Sequence, residues 1–308
     1  MNLWLLVLEQ ALNGLQLGVM LFLMAAGLTL VFGIMNLVNL AHGSLYMMGA
    51  YLATMFYART GSYVLGVVLG LAATLVVGVV VEVVALRTLY QRDHLDQVLA
   101  TFGLILFFNE LVAMVWGRAA IYASLPVWLS GHVQVLPGVP YPVYRALIIG
   151  VGLLVALMLA FVVTRTRLGM LIRAGASNRT MLSALGVNVR ALYTVVFGFG
   201  AALAGLAGLM AGPIYAVQPG MGEQILIEVF VVIVIGGIGS IRGALAGAII
   251  VGVVDTLGKA FLKPMLATVL SPSAADSAGP ALASMLVYLL MAAVLAFRPK
   301  GLFPSRAA

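Results

Sequence analysis

The sequence predicts an all-α polytopic membrane protein, a bundle of about eight or nine transmembrane helices with broken, glycine-rich segments. Three observations carry that prediction. Of 308 residues, 64% are hydrophobic and 8% charged, and the mean hydropathy is +1.18; a soluble domain carries about 25% charged residues. Apolar runs of bilayer-spanning length, about 20 residues, recur, as at 64–86, 146–164 and 282–297. The short alternating segments of a membrane β-barrel are missing. Helices then remain as the way to satisfy every backbone group inside lipid.

Taken in order, the apolar segments fall at 9–34, 44–58, 63–86, 97–117, 143–164, 192–217, 228–240, 243–262 and 280–297. Segment 228–240 is short for a span and is interrupted by Gly236, Gly237 and Gly239, so it reads as half of a broken helix. If 165–191 is cytoplasmic and all nine segments cross, eleven Lys and Arg lie inside, among them Arg87, Arg92, Arg165, Arg167, Arg173, Arg179 and Arg190. Five lie outside: Arg59, Arg118, Arg145, Lys259 and Lys263. That bias follows the positive-inside rule and puts the N-terminus outside. It also accounts for the net charge of +7 without nucleic acid. Residues 118–142, with Pro126, Trp128, Pro137, Pro140, Tyr141 and Pro142, read as an external loop near the interface. Residues 264–281, with three prolines, read as a second. No internal repeat or soluble domain stands out, so 1–308 reads as one membrane domain with a cytoplasmic loop at 165–191. The opening MNLWLLVLEQ lacks the basic start and cleavage site of a signal peptide. The chain has no cysteine, hence no disulfide or thiolate chemistry.

Four features are candidates for function. The stretch NLVNLAHGS, 36–44, sets Asn36, Asn39, His42 and Gly43 in apolar surroundings, where polar groups must find partners. In VVIVIGGIGSIRGALAGAI, 231–249, Gly243 and Gly247 suit close helix packing, while Gly236, Gly237 and Gly239 suit a break. Two interrupted segments, one in each half, point to a transport site whose polar groups line a passage or brace it. The cytoplasmic stretch 164–190 holds five arginines and no acid, with Leu168, Leu171, Ile172, Gly175, Leu182 and Leu185 near helical period. It reads as a topology anchor or as a docking helix, with Arg173 selecting an acidic partner and small Ala174, Gly175 and Ala176 allowing close approach. Gly186 stops the helix. Lastly, Glu82, Glu110, Glu228 and Asp255 fall in or near apolar segments, where an acid is either functional or bonded to a neighbouring helix.

Several chemistries are excluded by pattern. Gly258-Lys259 is followed by Ala260, so there is no Walker A phosphate loop, and neither HExxH nor GxSxG occurs. Histidines at 42, 94 and 132 form no metal-ligand spacing.

GLTLVFGIMNLVNLAHGSLYMMGAY (27–51), TFGLIL (101–106), RAGASNRTMLSALGVN (173–188), ALAGLAG (202–208), IGGIGSIRGALAG (235–247) and RPKGLFP (298–304) appear in that order. Together they resemble the LivH-type permease of branched-chain amino acid ABC importers. The resemblance implies a non-enzymatic permease in the bacterial inner membrane that carries branched-chain or other hydrophobic amino acids. It further implies a second, homologous permease of LivM type, two cytoplasmic ATPases that use the ATP, and an extracytoplasmic solute-binding protein. It favours the docking reading of 165–191. Urea and short-amide importers use similar permeases. A proton-coupled carrier using Glu82, Glu110 or Asp255 is a further alternative.

Overall fold

A computed structural model describes residues 3–136 and 139–304. Among them are eleven α-helices: α1 (Leu3–Met35), α2 (His42–Thr60), α3 (Tyr63–Val84), α4 (His94–Trp116), α5 (Val143–Arg165), α6 (Arg167–Ser177), α7 (Arg179–Ala184), α8 (Val189–Ala211), α9 (Met221–Gly236), α10 (Ile241–Leu266) and α11 (Pro272–Phe297). Seven of these, α1, α3, α4, α5, α8, α10 and α11, are long and apolar enough to cross a bilayer. The expected span 44–58 corresponds to α2, with 19 residues of more polar composition, and the expected half-helix 228–240 to α9, with 16. The protein is a multi-pass membrane protein of the all-α class.

Capping residues explain where the helices begin. Ser62, Thr166, Asn178, Asn188 and Ser240 each accept a backbone N–H from the first turn of α3, α6, α7, α8 and α10, satisfying donors that the helix itself cannot. Two sequence expectations shift. The loop at 118–142 contains a small antiparallel hairpin, β1 (His132–Leu136) and β2 (Val139–Pro142), with Pro140 and Pro142 opposite Gln134 and His132; Pro137 lies outside the described residues. The second expected loop shrinks to 267–271, because Pro264 sits inside α10 and Pro280 inside α11. Lys263 explains this: it pairs with Asp276 at 2.8 Å and packs against Gly279, which holds the first turns of α11 on α10.

The chain divides into two compact units. One comprises the described parts of 1–22, 127–154 and 229–305. In it, α10 and α11 pack as a hairpin, and a methyl group at Gly14 or Gly18 of α1 would come 2.7 Å from the α10 backbone. The other comprises 23–126 and 155–228. Its centre is α2, α3 and α8, which pack on one another through glycine: Gly49 against Gly205, Gly70 against Ala53, Gly205 against Thr74, and Gly208 against the Tyr46 backbone. Lipid tails are as apolar as leucine, so helices in a bilayer associate through close packing, which small residues permit. Ala204, Gly208 and Gly212 stand four residues apart along the α8 stretch. Gly208 makes the α8 contact together with Gly205, whereas Gly212 lies one residue beyond the helix.

Candidate translocation site

The stretch 36–44 is where the chain turns back on itself. Asn36 ends α1 with φ 52°, a left-handed conformation that asparagine tolerates better than most residues, and its N–H bonds the Phe32 carbonyl at 2.9 Å. The Tyr193 hydroxyl donates to the Ile34 carbonyl at 3.4 Å, so α1 ends beside the start of α8. Residues 36–41 are not helical. By His42 the chain has returned to the level of Gly200, the midpoint of α8. A methyl group at Gly27 of α1 would lie 2.7 Å from the Gly200 carbonyl oxygen and 3.0 Å from His42 Nε2. From there α2 continues toward the far end of α8, where Thr54 and Tyr57 line a cleft with Leu209 and Pro213. Helix α2 therefore begins halfway along a membrane-crossing helix.

A second return, 212–220, leaves the opposite end of α8. Val217 bridges Ile121 by backbone bonds of 2.8 and 2.9 Å. The Asn109 side chain on α4 accepts from the Gly220 N–H at 3.2 Å and donates to Glu223. Helix α9 then starts with Gly222 backbone to backbone against Gly43 at the start of α2. Two helix N-termini, each carrying partial positive charge, thus stand together after two irregular segments. Irregular backbone at membrane depth survives only where protein or a water-filled cavity covers it.

Asn39 and His42 are both 0% exposed. By the ordinary geometric criteria, neither the amide atoms of Asn39 nor either ring nitrogen of His42 has a hydrogen-bond partner among the described residues; the Met24 backbone lies near enough to the imidazole to act on it. Thr29 Oγ1 and the Tyr51 hydroxyl are likewise buried and unpartnered. A buried polar group left unsatisfied costs about 1–3 kcal/mol, so the closed arrangement carries a local penalty. Asn36, by contrast, is exposed and acts as the helix stop, and Gly43 serves the helix contact.

The other glycine cluster lies in the other unit and forms the turn from α9 to α10. Gly236 packs on the Gly243 backbone, and Gly237 and Gly239 take φ of 105° and 80°. The tail closes this turn. Leu302 and Phe303 donate their N–H groups to the Ile235 and Gly236 carbonyls at 2.9 Å each. The break expected within 228–240 falls at 237–240, between α9 and α10, as a turn that the tail bonds, and a further interruption stands at 212–220. The signal for it was present in Pro213, Pro219, Gly220 and Gly222.

The family model for the branched-chain amino acid transport system permease component matches residues 10–295. The high-affinity branched-chain amino acid transport system permease protein BraD of Pseudomonas aeruginosa is 32% identical over 311 residues, covering 96% of this chain and 95% of its own. LivH of Escherichia coli, named in the same words, is 32% identical over 272 residues, covering 83% and 87%. The probable branched-chain amino acid transport permease protein LivH of Methanocaldococcus jannaschii is 28% identical over 253 residues, covering 77% and 76%. No solved structure matches. The chain belongs to this permease family.

In this permease the loop at 165–191 folds as two helices rather than one. Asn178 divides them, extended at φ −153° and ψ 95°, because its side chain caps α7 by accepting from Met181 N at 2.9 Å. Gly186, φ 83°, closes α7: its own N–H bonds Ser183 and that of Val187 bonds Leu182, a Schellman arrangement. Arg173 and Ala174 are exposed, and Ala176 is half-buried. Gly175 points inward, within 3.4–3.7 Å of Leu182, Ile34 and Leu192 for an added methyl, so its smallness serves internal packing. Arg173 also donates to the Val163 carbonyl at the end of α5. The apolar residues left outside are Met170, Met181 and Leu185, up to 75% exposed, with Arg179 alongside.

The four acids separate. Glu82 is fully buried and accepts from Arg87, Tyr90 and Thr194. Asp255 is 6% exposed and pairs with Lys259 at 2.7 Å, one turn along α10. Glu228 is half-buried. Glu110, expected among the buried acids, is exposed and pairs with Arg118 at 2.7 Å, because it lies on the outer face of α4 where the following residues fold back over the helix end. Its neighbour Asn109 is the inward one, and its partner Glu223 escaped the sequence reading. Among the described residues no group of three or more His, Asp or Glu is arranged to hold a metal.

Proposed function

We propose that this permease is the LivH-type subunit of an ATP-driven importer for branched-chain amino acids in the bacterial inner membrane. Its partners in that reading are a second permease of LivM type, two cytoplasmic ATPases and an extracytoplasmic solute-binding protein. The chain itself is no enzyme and holds no cofactor. The substrate class rests on the names borne by its relatives. The observation that carries a passage is the mid-depth meeting of α2 and α9 after two irregular returns, with unpartnered Asn39 and His42 beside it.

The loop supports docking. Met181 and Leu185 stand exposed on a segment outside the apolar spans, flanked by Arg179, which suits an acidic-rimmed apolar groove on a partner. Arg179→Glu reverses that charge without touching the internal bond of Arg173. It should reduce co-purification of the ATPases while the chain still inserts; full retention of the ATPases would make the loop a topology anchor alone.

The decisive experiment is reconstitution of the five-component complex in vesicles. Leucine uptake should require ATP and the binding protein, and the permease alone should hydrolyse no ATP. Uptake of urea or a short amide without leucine would replace the cargo. Uptake by the single chain on a proton gradient would replace the importer.

A further inference from the structure

We infer that Asn39 and His42 are contact groups for the polar head of the passing solute, its α-ammonium and α-carboxylate, rather than braces of the fold. The inference deepens the permease reading and rests on it. A brace needs a partner in the protein, and among the described residues these side chains make no hydrogen bond of ordinary geometry: all four of their polar atoms are sealed from solvent and unbonded by that measure. They were not placed there to tie α2 to α1 or α8, although a methyl group added at Gly27 of α1 would lie 3.0 Å from His42 Nε2.

Their chemistry fits a zwitterion. The Asn39 amide supplies one acceptor and two donors, and a neutral imidazole adds one of each. That set meets both a carboxylate and an ammonium. It carries no full charge, so neither end is gripped as an ion pair would grip it. The surroundings bias the site further toward the carboxylate. Ala41 precedes α2 without a capping side chain; the His42 and Ser44 N–H groups bond the Asn39 and Ala41 carbonyls, and the start of that buried helix adds partial positive charge beside the site. Helix α9 begins alongside at Gly222, and the acid in its first turn, Glu223, is already engaged by Asn109. The solute meets these groups once the start of α2 parts from Gly27, and the penalty of the closed arrangement is relieved on that opening.

The chain contains no cysteine, so Asn39→Cys places a single thiol at the site. In the complete reconstituted complex it should resist a methanethiosulfonate reagent at rest and react during ATP-driven turnover with leucine-loaded binding protein. Asn39→Leu and His42→Leu remove the polar atoms at similar bulk. Leucine moved per ATP hydrolysed should fall about tenfold, as for one lost polar contact in the limiting passage, while the melting temperature of the complex stays level or rises. Three results would overturn the inference: melting temperature falling in step with flux, which makes the pair a brace; unchanged flux per ATP in both variants; or a thiol that stays unreactive through sustained turnover. A wild-type complex that carries urea and no amino acid would remove the cargo, and the ammonium–carboxylate assignment with it.

Discussion

Replacing Glu82 by leucine tests whether the buried acid is structural or a proton carrier. Its carboxylate accepts from Arg87 Nη2 at 3.2 Å, from the Tyr90 hydroxyl at 2.5 Å and from Thr194 Oγ1 at 2.8 Å, joining the end of α3 to the start of α8. Losing one partner of a fully buried pair costs about 3–5 kcal/mol. Here the Arg87 side chain is 36% exposed and can turn to water, and Thr194 retains the Arg190 carbonyl at 3.1 Å. The stranded group is Tyr90, so Glu82→Leu should cost about 2–4 kcal/mol. Thr194→Val leaves Arg87 and Tyr90 on the carboxylate and should cost about 0.5–1.5 kcal/mol. Burial first, and then the bond to Glu82, push the Tyr90 hydroxyl above its ordinary range. It therefore remains a donor, and the cost should be the same between about pH 6 and pH 8. Unfolding of the purified subunit, from mild detergent into SDS with helix content as readout, gives the ranking. A Glu82→Leu variant no less stable than Thr194→Val would refute the structural account. Glu82→Gln should also destabilise, since its amide turns N–H groups toward donors; a Gln variant of full stability that transports without proton dependence would point instead to a proton carrier.

Two further outcomes follow from the packing. Gly43→Ala drives a methyl into the Gly222 backbone, which has no side chain to yield, so it should cost about 1–3 kcal/mol or more and lower the yield of monodisperse protein; a normal yield would mean that α2 and α9 do not meet as described. Truncation after Pro299 removes the donors to the Ile235 and Gly236 carbonyls and should lower stability by about 1–3 kcal/mol in the same SDS titration, at roughly 1 kcal/mol for each bond.

The bundle was legible because apolar run length is a local property, and seven of the nine segments became helices fit to span. The return at 36–41 was legible as a cluster of polar residues, since nothing else explains asparagine and histidine amid such neighbours. What each member does was hidden. Asn36 is set by its own φ, Gly43 by a residue 179 positions away, and Asn39 and His42 by the absence of partners, which no sequence displays. Local composition located the break at Gly236, Gly237 and Gly239 but not the tail that folds onto it. Gly175 misled, because a glycine allows close approach on whichever side its helix presents, and here the close neighbours are Leu182 and Ile34. Glu110 and Asn109 show the limit of residue type alone: adjacent on one helix, they face opposite ways, and the acid is the one outside.

The position of α8 explains why the loop and the site belong to one mechanical problem. Asn188 caps it directly after the closed turn of α7. Tyr193 reaches the last turn of α1, Thr194 enters the Glu82 cluster, Gly200 lies at the level of His42, and Gly205 and Gly208 carry α2. At its far end the chain turns into the return that delivers Gly222 to Gly43. One helix thus touches α1, α2 and the end of α3. Close-packed interiors transmit displacement rather than absorb it, and the backbone-to-backbone glycine contacts leave no flexible side chain in between. A partner that shifts the loop therefore shifts α8, and α8 cannot move past Gly27 without disturbing the packing beside His42.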